Sequence, residues 1–329
     1  MKEILNHLFE HAVLSREEAK EVLLQISRGA HNDVHITAFT TVFQMRPITV
    51  AELQGFSDAL LERCLPLETG GIDSIDIVGT GGDGKNTFNV STTSAFVIAG
   101  AGYKVTKHGS YGVSSNVGSS NVLQALGYDF TNDQSTLLKQ LDEVNICFLH
   151  APLFHPALKN VVPVRRQLGM KTFFNMLGPL VNPVQPKWQL FGTYNLELSR
   201  LYQYVMQETD RHFSIVFAMD GYDEISLTGP IKWRSRNSEQ MLYPKDMGMP
   251  IYTQEDLFGG QTPEEAQDIM LRVLQNQATP AQKDVVIANA GLAIHTIKPE
   301  QSLEDCLSEA RESIESQSAF NVLKKLIQK

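Results

Sequence analysis

Residues 79–92, GTGGDGKNTFNVST, carry the densest chemistry in the chain. Glycines free backbone amides, and the helix-like TTSAFVIAGAG that follows brings an N-terminus to the same place, so the stretch is built to hold an anion. Phosphate is the natural ligand, and three phosphate loops compete. Gly79, Gly81 and Gly84 satisfy the GxGxxG dinucleotide spacing, but that site wants an acid about 20 positions later. Residues 103–108 offer Lys104, Lys107 and His108 instead. Gly79 to Gly84 followed by Lys85 nearly makes a Walker A loop. There Asn86 stands where a hydroxyl should ligate magnesium, and Asp83 has no role. A third loop type uses the whole stretch, with Asp83 and the cluster Thr87, Asn89, Ser91 and Thr92 facing a ligand that carries several phosphates and sugar hydroxyls.

Two further polar groups lie downstream. Lys107-His108-Gly109-Ser110, followed by Ser114, Ser115, Gly118, Ser119 and Ser120, reads as a loop able to clamp phosphates. Asp220, Gly221, Tyr222, Asp223 and Glu224 follow an apolar run at 213–219. Ligands of open α/β sheets sit at the carboxyl ends of strands, where adjacent acids can hold magnesium. A solvated acidic turn would look the same.

These groups need a scaffold. Short apolar, β-rich runs at 75–78, 103–106, 145–149, 188–193 and 213–219 alternate with helix-like stretches, which predicts a mostly parallel sheet flanked by helices. Residues 1–65 read as short helices. Ser15 with Glu18 and Thr49 with Glu52 match the capping box, and Leu5, Leu8, Phe9 and Ala12 recur at helical spacing. Residues 152–183 are helical in period but rich in Pro and Gly, and they interrupt the strand series. Their return onto the N-terminal helices would make the small domain discontinuous. Thr262-Pro263 with Glu265 opens a helical C-terminal part.

Composition narrows the function classes. Lys and Arg number 28 against 37 Asp and Glu over 329 residues, a net charge of −9, which argues against nucleic acid as a partner. The opening MKEILNHLFEHAVLSREEAK has no basic segment leading an apolar core, and no run approaches the roughly 18 apolar residues of a membrane span. Cys64, Cys147 and Cys306 lie far apart, so neither a zinc site nor a disulfide framework is indicated. The expectation is a cytoplasmic enzyme that does not engage membranes.

GTGGDGKNTFNVST, KHGSYGVSSNVGSS, HAPLFHPALKNVVPVRRQLGMKTFFNMLGPLVNP and DGYDEIS occur in that order in one chain. Together they resemble the anthranilate phosphoribosyltransferase family, related to class II nucleoside phosphorylases. The resemblance implies an α/β fold with a small discontinuous helical domain (1–66 joined by about 155–183) and a larger α/β domain (72–150 and 184–329), with the active site in the cleft between them. It implies a pentosyl transfer in tryptophan biosynthesis, from 5-phosphoribosyl 1-pyrophosphate to the amine of anthranilate, with Mg²⁺ and a homodimer meeting through the helical domain.

By motif position the resemblance assigns Gly79, Gly82, Asp83, Thr87, Asn89, Val90, Ser91 and Thr92 to the phosphoribosyl pyrophosphate. Lys107, His108, Gly109, Ser110, Tyr111, Gly112, Val113, Ser114, Ser115 and Ser119 complete that site. Lys107 supplies charge to the phosphates and His108 is the candidate for acid/base work, making these the two catalytic candidates. Ser91, Asp223 and Glu224 are the implied magnesium ligands, while Arg165 meets the anthranilate carboxylate beside Gly79, His108 and Ser110. Two positions depart from the family pattern: Ser110 stands where Asn is usual and Tyr111 where many members have Arg. A pyrimidine nucleoside phosphorylase shares the architecture, but it needs no acidic metal pair, so Asp223-Glu224 and the HPALK and PVRRQLG stretches favour the transferase.

Overall fold

The computed structural model describes residues 1–112 and 117–328. The chain divides into two compact units, Met1–Leu67 with Ala151–Gln185, and Glu68–His150 with Pro186–Lys329.

The first unit is helical. It contains α1 (Lys2–Phe9), α2 (Arg16–Ser27), α3 (Asp33–Met45), α4 (Val50–Arg63), α8 (Ala151–Phe154), α9 (Val162–Leu168) and α10 (Phe174–Leu177). Reciprocal capping boxes start α2 at Ser15/Glu18 and α4 at Thr49/Glu52. They satisfy backbone N–H groups that the first helical turn leaves without partners. Glu52 does more than cap: it is fully buried, receives Arg46 Nη2 at 2.5 Å, and accepts from the Leu14 amide at 3.0 Å. The returning segment is stitched down by Asn160 Nδ2, which donates to the Ile26 and Ser27 carbonyls at 3.3 and 3.0 Å. Gln44 Nε2 adds a bond to the Lys171 carbonyl at 2.8 Å. Phe173 closes the core, its ring 4.8 Å from Phe43 and 4.6 Å from Phe56. Such aromatic contacts contribute about 0.5–1.5 kcal/mol each beyond their buried area.

The second unit is built on seven strands, β1 (Ile75–Gly79), β2 (Val105–Gly109), β3 (Ile146–His150), β4 (Trp188–Gly192), β5 (His212–Ala218), β6 (Ile231–Ser235) and β7 (Glu239–Leu242), in the order β3-β2-β1-β4-β5-β6-β7. The first five run parallel, and β6 and β7 add an antiparallel edge. Its helices are α5 (Val90–Gly100), α6 (Ser119–Ala125), α7 (Gln134–Val144), α11 (Leu196–Gln207), α12 (Pro263–Leu274), α13 (Pro280–Ile297), α14 (Leu303–Glu315) and α15 (Ser318–Ile327). Parallel strands covered on both faces must be apolar throughout, and β3 is buried at all five positions. Helices α5 and α13 are buried around nearly their whole circumference, because they pack on each other as well as on the sheet.

Two features differ from the expectations. The second strand begins at Val105 and runs through Lys107 and His108, which therefore lie on a strand and not on a loop. All five of its residues pair with β3, from Val105↔Ile146 to Gly109↔His150, and the Lys107 ammonium is satisfied by the Ile77 carbonyl at 2.7 Å. A charged side chain with a partner does not end a strand. The antiparallel pair β6 and β7 carries Lys232, Arg234 and Glu239, whose mutual ion pairs disguise the apolar alternation of an edge.

Candidate active site

In the α/β unit the order of strands reverses between β1 and β4, and open parallel sheets bind ligands at the carboxyl end of such a switch point. There Gly79 ends β1 and pairs in register with Gly192, which ends β4. The glycine loop leaves β1 with φ of +69°, +83° and +73° at Gly81, Gly82 and Gly84, conformations that side chains resist. The Lys85 amide donates to Asp83 Oδ1 at 3.1 Å and tightens the turn. Farther along, the loop is pinned by backbone bonds from Phe88 N to Leu257 O (3.1 Å) and from Gly259 N to Asn86 O (2.8 Å).

The acidic turn after β5 reaches back to this loop. Asp223 Oδ2 accepts from the Gly81 amide at 2.6 Å, and Glu224 Oε1 accepts from the Ser91 amide at 2.9 Å. Ser91 lies in the first turn of α5, whose start at Asn89 has no side-chain cap, so Glu224 takes that role. Asp220 is spent differently, accepting from Thr228 Oγ1 at 2.5 Å. Burial and then the Asp83 charge push the Asp223 carboxyl up to about 7. Burial and then Asp223 push Glu224 well above the usual carboxylate range. Lys107 is pulled down by its own burial, against the opposing pull of Asp76 and Glu224.

Among the described residues Asp223 and Glu224 form no ion pair, and no group of three His, Cys, Asp or Glu is arranged to hold a metal ion by itself. Two carboxylates and the Ser91 hydroxyl are oxygen donors that leave further positions for water or phosphate oxygens. That is the mixed donor set magnesium prefers. Thr80 Oγ1 and Thr87 Oγ1 are buried without a protein partner, two hydroxyls left for a ligand.

Of the remaining sequence candidates, Val90 and Thr92 are fully buried in α5. Asn89 Nδ2 donates to the Val117 carbonyl at 3.3 Å. His108 is buried on β2, its amide donating to Asp76 Oδ1 at 3.3 Å, and Gly109 ends the strand. The Ser110 carbonyl accepts from Ser119 Oγ and the Ser120 amide, both at 3.2 Å. Tyr111 lays its ring edge-on to His150 at 4.8 Å, and His150 stacks on Phe130 at 4.5 Å. The Gly112 amide donates to Asn121 Oδ1 at 3.2 Å. Val113, Ser114 and Ser115 lie outside the described residues.

Arg165 sits in the helical unit on α9. Its guanidinium is largely buried over the Phe174 ring at 5.8 Å, with Nη2 3.4 Å from Asn175 Oδ1 and Nε without a partner. No carboxylate among the described residues pairs with it, and burial lowers its pKa. Its neighbour Arg166 is exposed.

Three positions at the site escape the motifs: Gly192, Asp76 and Asn289. A Cβ on Gly192 would overlap the Asp223 carbonyl, and one on Gly79 would collide with Asp223 Oδ2. The signal for Gly192 was available, a glycine closing an apolar strand run.

Comparison with known proteins follows the same division. Residues 71–320 match the glycosyl transferase family a/b domain, and residues 2–64 match the helical bundle domain of that family. The anthranilate phosphoribosyltransferase of Cytophaga hutchinsonii is 56% identical over 327 residues, 99% of this chain and 100% of the relative. The enzyme of the same name from Thermus thermophilus superposes with a TM-score of 0.91 at 31% identity, covering 98% of both chains. That of Saccharomyces cerevisiae, solved in complex with PRPP and Mg, gives 0.91 at 27% identity, covering 98% of this chain and 95% of the other. With identity at this level along its whole length, the chain belongs to the anthranilate phosphoribosyltransferase family.

Proposed function

We propose that the α/β unit holds 5-phosphoribosyl 1-pyrophosphate on the 79–92 loop, with Mg²⁺ at Ser91, Asp223 and Glu224, and that Arg165 holds the carboxylate of anthranilate. The observation that carries this reading is the adjacent pair Asp223, buried, and Glu224, partly buried, which form no ion pair among the described residues and are tied to the glycine loop and to the first turn of α5. Two ionised carboxylates do not persist in a buried site without a cation to offset their repulsion.

The reaction forms a bond from the anthranilate nitrogen to the ribose carbon, breaks the bond from that carbon to pyrophosphate, and releases the amine proton. Positive charge grows on the sugar and negative charge on the leaving group. Bound magnesium supplies electrostatic stabilisation of the leaving pyrophosphate. The chain contributes Lys107, whose ammonium is held by the Ile77 carbonyl on β1, and the glycine-rich backbone from Gly81 to Gly84. Asp83 orients the sugar hydroxyls or the cation. The carboxylate of anthranilate can itself accept the amine proton, so positioning by Arg165 outweighs proton transfer by the protein. The decisive assay follows loss of anthranilate fluorescence with phosphoribosyl pyrophosphate. Magnesium-dependent turnover is expected, and binding of the donor without turnover would refute anthranilate as the acceptor.

A pH dependence follows from the acids. Both have folded values above the ordinary carboxylate range near 4. The folded protein therefore holds more protons than the unfolded chain from about pH 4 upward, with Asp223 releasing its proton near pH 7. The stability these acids contribute without metal is complete below about pH 4 and is lost as pH rises through their raised folded values, that of Asp223 near pH 7. Mg²⁺ with pyrophosphate should raise the unfolding midpoint more at pH 8 than at pH 5. An equal rise at both would remove these acids from the ligand set.

We also infer a homodimer formed through the helical unit, in a cytoplasmic enzyme. Phe9, Val34 and Met45 are 59%, 75% and 88% exposed on that unit, large apolar side chains that a second copy would cover. Sedimentation should return a dimer, and Met45→Glu should shift it toward monomer. A parent protein sedimenting as a monomer would refute the inference.

A further inference from the structure

A side chain on α13 holds the acidic turn from outside the site. Asn289 lies on α13, is 2% exposed, and stands 64 positions along the chain from Ile225, the residue that follows Glu224. Its Oδ1 accepts from the Ile225 amide at 3.1 Å, and its Nδ2 donates to the Ile225 carbonyl at 2.8 Å. The same Nδ2 donates to the Val285 carbonyl at 2.8 Å, one turn back on α13. Three bonds fix which way the carboxamide faces, and two of them grip both polar groups of the residue next to Glu224. The other ligand-bearing element is referenced to the same helix, since Ser94 Oγ on α5 donates to the Val286 carbonyl at 3.3 Å. Ser91 and the two carboxylates thus arrive from different parts of the chain and are registered against one buried helix.

We propose that Asn289 is the positioning residue for the magnesium carboxylates, fixing Asp223 and Glu224 through the Ile225 backbone. The inference rests on the assignment of those acids as metal ligands. Groups that orient metal ligands without touching the metal typically change metal affinity by 10–100-fold when removed.

Asn289→Ser is the informative variant. A helical serine can still donate to the carbonyl four residues back, but it cannot span to Ile225. Calorimetric titration of Mg²⁺ into protein with phosphoribosyl pyrophosphate should show its midpoint raised about tenfold, while the KM for anthranilate stays at the parent value. Asn289→Ala adds the loss of the local bond, and should match the serine variant in Mg²⁺ midpoint while unfolding at a lower temperature. Asp223→Asn is the control. If it moves the Mg²⁺ midpoint and Asn289→Ser does not, Asn289 is only a structural residue and the proposal is overturned. If Asp223→Asn leaves the midpoint in place, the acids are not ligands and both readings fall together.

Discussion

Arg165→Ala should raise the KM for anthranilate about 100-fold while leaving that for phosphoribosyl pyrophosphate within about twofold. Truncating one partner of a buried, hydrogen-bonded charge pair costs about 2–5 kcal/mol, and about 2.7 kcal/mol is about 100-fold in affinity. The guanidinium qualifies because it is already largely desolvated and already lacks an acid, with Nε unpartnered and Nη2 only 3.4 Å from a neutral amide oxygen. The cost of burial is carried by the free protein, and an arriving carboxylate meets a fork that needs no reorganisation. kcat should fall as well, since the anchor that binds the carboxylate also aims the amine. Arg165→Lys keeps the charge and loses the planar fork, so its KM should fall between parent and alanine. A second readout separates this role from packing. Removing an unpaired buried cation relieves a desolvation penalty, so Arg165→Ala should unfold at or above the parent temperature. Equal rises in both KM values, or a clear loss of stability, would sink the assignment.

The helices and parallel strands were legible because their signals are local. The boxes at Ser15/Glu18 and Thr49/Glu52 need only four residues, and both form. The apolar runs at 75–78 and 188–193 needed only burial on both faces, and they became β1 and β4. The glycine loop was legible for the same reason, since left-handed backbone at Gly81, Gly82 and Gly84 is written directly in residue type. What escaped depends on partners remote in sequence. Lys107 and His108 looked like loop residues because a lysine in a strand interior is costly unless paired, and its partner, the Ile77 carbonyl, lies 30 residues away. Tyr111 stood out only as a departure from the family pattern. Its packing on His150, which stacks in turn on Phe130, gives it an aromatic shelf that no local pattern announces. Asn289 belongs to an apolar helix and reads as a tolerated polar residue until its bonds to Ile225 are seen.

Gly192 makes the sharpest case, and its replacement should have the larger effect on catalysis. Its φ is not in the left-handed region, so the backbone alone would accept any residue and the whole cost of a side chain is contact. The contact is with the carbonyl of Asp223, and a backbone atom cannot rotate aside as a side chain can. Gly192→Ala must therefore push the acidic turn away from β4, loosening Asp223 from the Gly81 amide and Glu224 from the Ser91 amide together. Overpacking of this kind costs about 1–3 kcal/mol of stability. Losing the preorganised charge at the leaving group should cost about 10²–10³ in kcat. Gly79→Ala tests the same geometry more gently, because its Cβ comes closest to the Asp223 carboxylate, which can swing. It should lose about tenfold with little change in unfolding temperature, breaking one ligand's tether while the backbone stays put. The ordering decides the matter: Gly192→Ala must be the worse variant in both kcat and unfolding midpoint. If Gly79→Ala proved the more damaging, the position of the Asp223 side chain would govern the site and the backbone of the turn would not.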